Sequence, residues 1–436
     1  MSVVTVQLGQ CGNQVGLDLF DTLYNDAQAG QKKSYATASY ERFFHQTKDG
    51  DLVARAVLID MEPKVIKQNF SKTAKSGVWK YDSASSFSQS QGSGNNWANG
   101  FCIHGPRHRE VMEDLIRREV ERCDKLTGFM AMMSVAGGTG SGVGTYVTQC
   151  LRDVYPKSFI VNHLIWPYET GEVTVQDYNS VLTLGHIYQL SDGILVHEND
   201  MVNKICSQLL HISDISIADL NKVIAHQLGA IFQPVFTADS DGHYSRNFLG
   251  EFVSALACHP EYKLLSMSTV PQMPSSYIPY TTFEWPSLIK HLRRMLISNT
   301  RMEEVTGSTQ SLTGSNLNTS LANLLILRGK DVFTANTGDF SETSLYTSWQ
   351  SPKDAFNVWK CPVPFRKYEK MAMLVSNSQA LIEPLDNTLR KAWSMFAARA
   401  YVYQYTRFGM SEEDLLESFT FAEQIVSSYS QLGCKG

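Results

Sequence analysis

Residues 128–145 read Gly-Phe-Met-Ala-Met-Met-Ser-Val-Ala-Gly-Gly-Thr-Gly-Ser-Gly-Val-Gly-Thr. The first part, Gly128–Val135, is apolar with no polar alternation, the pattern of a strand covered on both faces. Seven small residues then strip side-chain bulk away, and helix-compatible sequence follows. A buried strand that opens through such a loop onto a helix N-terminus offers backbone N–H groups and a positive dipole end to a phosphate. The loop is not a Walker A motif, because it holds no lysine and no Gly-Lys-Ser/Thr follows. Nor does it fit G-x-G-x-x-G: counted from Gly138 and Gly140, the last position is Val143. A plain glycine turn and a variant dinucleotide loop both stay open on this stretch alone.

Working outward, strands and helices alternate through the first half. Val3–Leu8 is an apolar run that opens onto Gly9-Gln10-Cys11-Gly12, and Leu52–Ile59 is a second, ending in Asp60-Met61-Glu62-Pro63. Val111–Cys123 places Val111, Leu115, Ile116, Val120 and Cys123 on one face of an expected amphipathic helix. Phe159–Trp166 and Gly193–His197 read as further strands. This alternation predicts an α/β fold built on a doubly wound parallel sheet, with its ligand at the strand C-termini. Asp219–Gln233 carries Leu220, Val223, Ile224, Leu228 and Ile231 at helical spacing. Strands are expected at Lys263–Val270, Ala322–Leu327, Ala355–Trp359 and Met371–Val375, with a helix near Ser287–Ile297. Two helices, Pro384–Tyr405 and Glu412–Tyr429, close the chain. The expected divisions are 1–200 (nucleotide-binding), 201–235 (core helix and connection), 236–378 (second mixed α/β domain) and 379–436 (a helical hairpin without an acidic tail). Ser83–Gly100 and Thr306–Thr319 are rich in Ser, Gly and Asn and read as loops.

The 436 residues leave room for two or three domains. With 43% hydrophobic residues and a net charge of −5, intrinsic disorder is excluded and no global basic footprint for nucleic acid exists. No stretch approaches the roughly 18 apolar residues of a spanning helix, and the opening residues lack the pattern of a secretion signal. The eight cysteines, at 11, 102, 123, 150, 206, 258, 361 and 434, form no C-x-x-C, so free thiols in a reducing, cytoplasmic setting are expected. His104, His108, His197 and His259 show no metal spacing. Trp349, Trp359 and Trp393 are expected in the core.

Gly137-Gly138-Thr139-Gly140-Ser141-Gly142, together with Gly9-Gln10-Cys11-Gly12-Asn13-Gln14, Asp60-Met61-Glu62-Pro63, Gly94-Asn95-Asn96-Trp97-Ala98 and Asp219-Leu220-Asn221, resembles the tubulin family over essentially the whole chain. Val57–Val65, Ile165–Glu172, Ala355–Lys360 and Leu374–Gln379 resemble its delta branch more than alpha or beta. The resemblance implies a GTP/GDP-binding cytoskeletal subunit that stacks head to tail on other tubulins. It further implies microtubule organisation at the centriole, centrosome and basal body, cilium assembly and centriolar or ciliary protein partners. Neither nucleic acid nor membrane is expected as a partner.

By the same resemblance, Gln10, Cys11, Asn95, Ser134 and the loop Ala136, Gly137, Gly138, Thr139, Gly140, Ser141 and Gly142 surround the phosphates. Ala136 replaces a family glycine and is expected to make the loop slightly less permissive, since alanine disfavours φ > 0. Asn199 and Asn221 match the two base-reading asparagines, whose amides donate and accept together. Ile217 falls where alpha and beta stack an aromatic ring on the base, so that stacking is lost. Glu172 is the candidate ribose contact, Gln176 standing where relatives carry an acid. Glu62, with Asp60, is the candidate Mg2+ site; magnesium takes one or two carboxylates plus substrate phosphates. Glu251 matches the acid that activates water on a neighbour's GTP. The lateral segment, Gln272–Phe283, has no basic residue, which predicts altered lateral pairing.

Two alternatives stand beside a GTPase completed in assembly. One is a GTP-bound adaptor or capping subunit that never hydrolyses. The other, a Rossmann oxidoreductase, needs an acid about 20 residues past the glycine loop. Phe159-Ile-Val-Asn162-His163 supplies none.

Overall fold

The computed structural model describes residues 1–30, 32–171, 173–237, 242–303 and 318–433. Two compact units are assembled from interleaved stretches: Met1–Asp21, Tyr40–Asn199 and Glu383–Ser427 make the first, and Thr22–Ser39, Asp200–Ile382 and Ser428–Gly436 the second.

The first unit holds β1 (Ser2–Leu8), β2 (Phe44–Gln46), β3 (Leu52–Ala54), β4 (Ala56–Asp60), β5 (Ser86–Ser88), β6 (Leu126–Ser134), β7 (Phe159–Trp166) and β8 (Gly193–Glu198). Six of these form a sheet in the order β8-β7-β6-β1-β4-β5, each neighbouring pair parallel. β1 and β7 are buried along almost their whole length, and β6 between its end residues, as strands sandwiched by helices require. From β1 the chain builds outward in one direction through β4 and β5, and in the other through β6, β7 and β8. The order therefore reverses beside β1, and such a switch point opens a crevice at the strand C-termini.

Leu52–Ile59 is not one strand. Arg55 interrupts it: β3 pairs antiparallel with β2, and only β4 joins the parallel sheet. Arg55 is drawn aside because its guanidinium donates to the Arg122 carbonyl (3.1 Å). The helix Arg109–Glu121 buries Met112, Leu115, Ile116 and Glu119, while Val111 is 48% exposed. Its inward face is thus rotated from the expected one. The expected helix Pro384–Tyr405 runs only over Ile382–Ala397. Arg399 and Tyr401 then take left-handed conformations (φ 53° and 61°), and Ala400 N–H returns to the Met395 carbonyl, which ends the helix without a glycine. The expected Ser83–Gly100 loop contains β5 and one edge of a short helical turn, Asn99–His104.

The second unit holds β9 (Leu264–Val270), β10 (Ser320–Gly329), β11 (Phe356–Cys361) and β12 (Lys370–Ser378) in the order β11-β10-β12-β9. β10 and β11 are parallel, and the β10–β12 and β12–β9 pairs antiparallel. The helix Trp285–Ile297 buries Trp285, Leu288, Leu292 and Leu296 against Leu325, Leu327 and Leu374 of this sheet. Trp359 is core as expected, but Trp349 is 53% exposed, packed edgewise beside His259. The segment 304–317, which covers most of the expected Thr306–Thr319 loop, lies outside the described residues. Among the described residues no helix is long and apolar enough to cross a membrane.

Candidate functional site

The C-terminal ends of β1 and β6 carry two of the loops singled out in the sequence. The expected loop Gly9–Gly12 is already helical: Gly9 opens the helix Gly9–Ala29 directly off β1 in the left-handed region (φ 70°), and a Cβ there would meet Gly140 N at 2.8 Å, so that helix N-terminus rests directly on the glycine loop. Asn13, fully buried in this helix, fixes its first turn by donating to the carbonyls of Gly9 (2.8 Å) and Ile59 (3.2 Å). Gln10 is exposed in the first turn of this helix. Burial pushes the Cys11 thiol up to about 12, so it stays protonated.

The glycine loop leaves β6 at Ser134, whose Oγ accepts from Ala136 N–H (3.3 Å). None of Ala136–Gly142 lies at positive φ, so alanine at 136 meets no conformational penalty, against the expectation of a less permissive loop. The glycines answer close approach instead. A Cβ on Gly138 would lie 2.6 Å from Asn96 N and from Ser93 Oγ. Ser93 and Thr139 share a hydroxyl–hydroxyl hydrogen bond (2.9 Å), and the Ser141 hydroxyl donates to the Gly137 carbonyl. A helix runs on through Thr139–Val143 and Gly144–Val154. The N–H groups of Gly137, Gly138, Thr139 and Gly140 have no acceptor among the described residues. These are orphan donors of a helix N-terminus beside a turn, the arrangement that binds phosphate.

Asn95 crowns the neighbouring loop, exposed and at φ 52°. Sequence reasoning missed the residue that ties the two loops together. Asn179, completely buried on the helix Gln176–Leu190, donates through one amide group to the carbonyls of Asn95 (2.8 Å) and Ala136 (2.7 Å). Its signal was modest: Asn179 stands among other polar residues of Gln176–Leu190, and only its burial obliges its amide to find partners.

Asp60 ends β4 at 4% exposure and accepts from Glu62 N–H (3.3 Å). Burial, only partly offset by the backbone amides of Glu62 and Met61, pushes its carboxyl up to about 6. Glu62 is exposed at the N-cap of the helix Pro63–Ser76 and makes no capping bond with its side chain. The chain at Gly92 crosses it so closely that a Cβ there would lie 2.6 Å from Glu62 Oε1. Among the described residues no group of three or more His, Cys, Asp or Glu is placed to hold a metal. Asp60 and Glu62 still suit a cation that takes most of its oxygens from phosphates and water, since the buried carboxyl has no cationic partner.

The remaining candidates are spread further. Glu172 lies outside the described residues. Gln176 is 6% exposed and donates back to the Tyr168 carbonyl (2.9 Å), closing its own loop. Asn199 opens the short helix Asn199–Lys204 straight after β8. In the second unit, Asn221 is buried as the fifth residue of the helix Ile217–Phe232, which Ser216 and Asp219 cap reciprocally. Ile217 beside it is 60% exposed. Glu251 stands in the first turn of the helix Phe248–Leu256, and its Oε2 is buried with no hydrogen-bond partner among the described residues. Tyr277 and Tyr280 of the expected lateral segment are 56% and 88% exposed.

Residues 2–207 match the family described as Tubulin/FtsZ family, GTPase domain. The tubulin delta chain of Canis lupus familiaris is 54% identical over 453 residues, covering 99% of this chain and 100% of the relative. The tubulin delta chain of Macaca fascicularis is likewise 54% identical, and that of Homo sapiens 53%, over the same lengths.

Proposed function

Since the chain belongs to the tubulin family, we propose that it is a delta-type subunit whose bound GTP sits on the Ala136–Gly142 loop and whose duty is microtubule organisation at centrioles and basal bodies, including cilium assembly. The observation that carries the nucleotide site is the run of four N–H groups, Gly137 to Gly140, left without acceptors at a helix N-terminus. Gln10, Cys11, Asn95, Ser134, Ser141 and Gly142 complete the phosphate surroundings. Asn199 and Asn221 read the guanine edge, and Glu172 meets the ribose. Asp60 and Glu62 would hold Mg2+, which when bound neutralises phosphate charge. The localisation rests on the delta-chain similarity alone, as does the set of partners: other tubulins stacked longitudinally, and centriolar or ciliary proteins.

Glu251 acts in trans. Its carboxylate, in the first turn of the helix Phe248–Leu256, would accept a proton from a water aligned with the γ-phosphate of the subunit it stacks on, the modest requirement of such a hydrolysis. Two measurements test this. Nucleotide extracted from the purified chain is expected to be guanine nucleotide; a nicotinamide dinucleotide or none would refute the site. Phosphate release in copolymers with other tubulin subunits is expected to fall at least 100-fold in Glu251→Ala while bound nucleotide per chain stays the same. Unchanged release in the variant would refute this role of Glu251, and a wild-type chain whose partners stimulate no release would instead be a GTP-bound adaptor or cap that does not hydrolyse.

A further inference from the structure

Asn179 has all four hydrogen-bonding positions of its amide filled: the amide group donates to Asn95 O and Ala136 O, and Oδ1 accepts from Trp97 N–H (2.9 Å) and from the Tyr405 hydroxyl (2.7 Å). In a planar trans peptide the C=O and the following N–H point in opposite directions. Holding the Ala136 carbonyl inward therefore turns the Gly137 N–H outward, into the row of donors that lacks acceptors. Were that peptide to flip, its carbonyl would face the phosphate and repel it. Ala136 and Gly137 have little side chain to resist a flip, so the restraint comes from Asn179.

Tyr405 holds Asn179 in turn. Its ring is fully buried, edge-on to Tyr178 at 5.4 Å. It belongs to the connector between the helices Ile382–Ala397 and Glu412–Gln431. That connector touches the loop shell twice more: Asn96 Nδ2 donates to Gln404 O (3.2 Å), and the Tyr178 hydroxyl donates to Ala400 O (3.0 Å).

We infer that Asn179 is a positioning residue which fixes the Ala136–Gly137 peptide in its phosphate-binding orientation, and that Tyr405 makes this depend on the C-terminal connector. The inference rests on the nucleotide reading above. By linkage, whatever shifts the connector alters nucleotide affinity, and nucleotide occupancy steadies the connector by the same factor.

Tyr405→Phe and Tyr178→Phe provide a matched pair, since each removes one hydroxyl at the same connector region and keeps its ring. Among the described residues the Tyr405 hydroxyl, besides Asn179, reaches only the Val175 carbonyl at a longer 3.4 Å. Equilibrium binding and dissociation of a fluorescent guanine nucleotide, with thermal unfolding of the nucleotide-free full chain, separate their roles. Both variants are expected to lower the midpoint of unfolding slightly. Only Tyr405→Phe is expected to weaken nucleotide binding, by about 3- to 10-fold and mostly through faster dissociation. Asn179→Ala, where it folds, should lose more than Tyr405→Phe, and adding Tyr405→Phe to it should lose nothing further. Equal affinity in Tyr405→Phe and wild type, or equal losses in the two tyrosine variants, would overturn the inference while leaving the site reading intact. A wild-type chain that binds no guanine nucleotide would overturn both.

Discussion

Asp60 sits almost fully buried at the end of β4, and among the described residues no basic side chain pairs with it. Its carboxyl, pushed up from 3.8 to about 6, is ionised at pH 7 only against the cost of its own burial. That displacement corresponds to about 3 kcal/mol. The unfolded chain gives up this proton near pH 4 and the folded chain near pH 6, so the penalty is absent below pH 4 and complete above pH 6. Asp60→Asn keeps an oxygen for the Glu62 amide and removes the charge. We expect it to stabilise the nucleotide-free protein by about 2–3 kcal/mol at pH 7.5, the gain shrinking to nothing at pH 4. It should also weaken magnesium-dependent nucleotide binding. Denaturant titrations at both pH values, beside binding with and without Mg2+, check the two halves. A variant that is no more stable at pH 7.5 would mean that the carboxyl is not held under strain. The same physics made Asp60 legible as a site candidate: an acid at the end of an apolar strand has few reasons to be there except a charge to meet.

The helix Arg109–Glu121 shows what pattern reading reaches and where it stops. Its period was legible, but its buried face includes Glu119, which no hydrophobic count selects. Glu119 is buried because Arg122 reaches back to it (3.1 Å) and the Ser85 hydroxyl donates to it (3.3 Å), while Arg122 also pairs with Asp82 (2.7 Å). Arg122 is an i,i+3 neighbour, but Ser85 and Asp82 are distant in sequence, so the burial of the whole cluster cannot be seen before folding. Arg55 breaks the second strand for a related reason, and Arg399 ends a helix in a conformation usually signalled by glycine. The glycine loop was legible because strand, small residues and helix follow each other in sequence. Asn179 was not, because its partners lie 43, 82, 84 and 226 residues away. The ion cluster yields an ordered expectation. Arg122→Ala strands a buried carboxylate and should cost about 3 kcal/mol, whereas Glu119→Gln keeps the hydrogen bonds and should cost about 1 kcal/mol. Urea midpoints compare the two, and the reverse order would show that the charge on Glu119 needs no partner.

Across the whole molecule, burial holds histidines neutral in both units. His163 is completely buried against His197, their ring nitrogens 2.8 Å apart, and is held well below the ordinary histidine value of 6.5. In the second unit, burial and then the nearby Arg366 charge hold His226 at about 3, between Phe365 and Tyr368. His45 is lowered to about 4 by burial and then by Arg55 and Arg122. A histidine lowered in the folded state contributes its full stability above pH 6.5 and loses it as the pH falls, because the unfolded chain takes up the proton first. The raised carboxyls Asp26, Asp60, Glu119 and Asp177 act in the opposite sense. Their gain begins near pH 6 for Asp60, by which point the histidine loss has already set in. Stability should therefore peak above pH 7 and decline below 6.5, each strongly lowered histidine adding about 1.4 kcal/mol per pH unit to the slope. His226→Gln removes one such group, so its stability profile between pH 6 and pH 4 should be shallower than wild type by about that amount. Parallel profiles for the two proteins would show that His226 takes up its proton in the folded state as readily as in the unfolded chain.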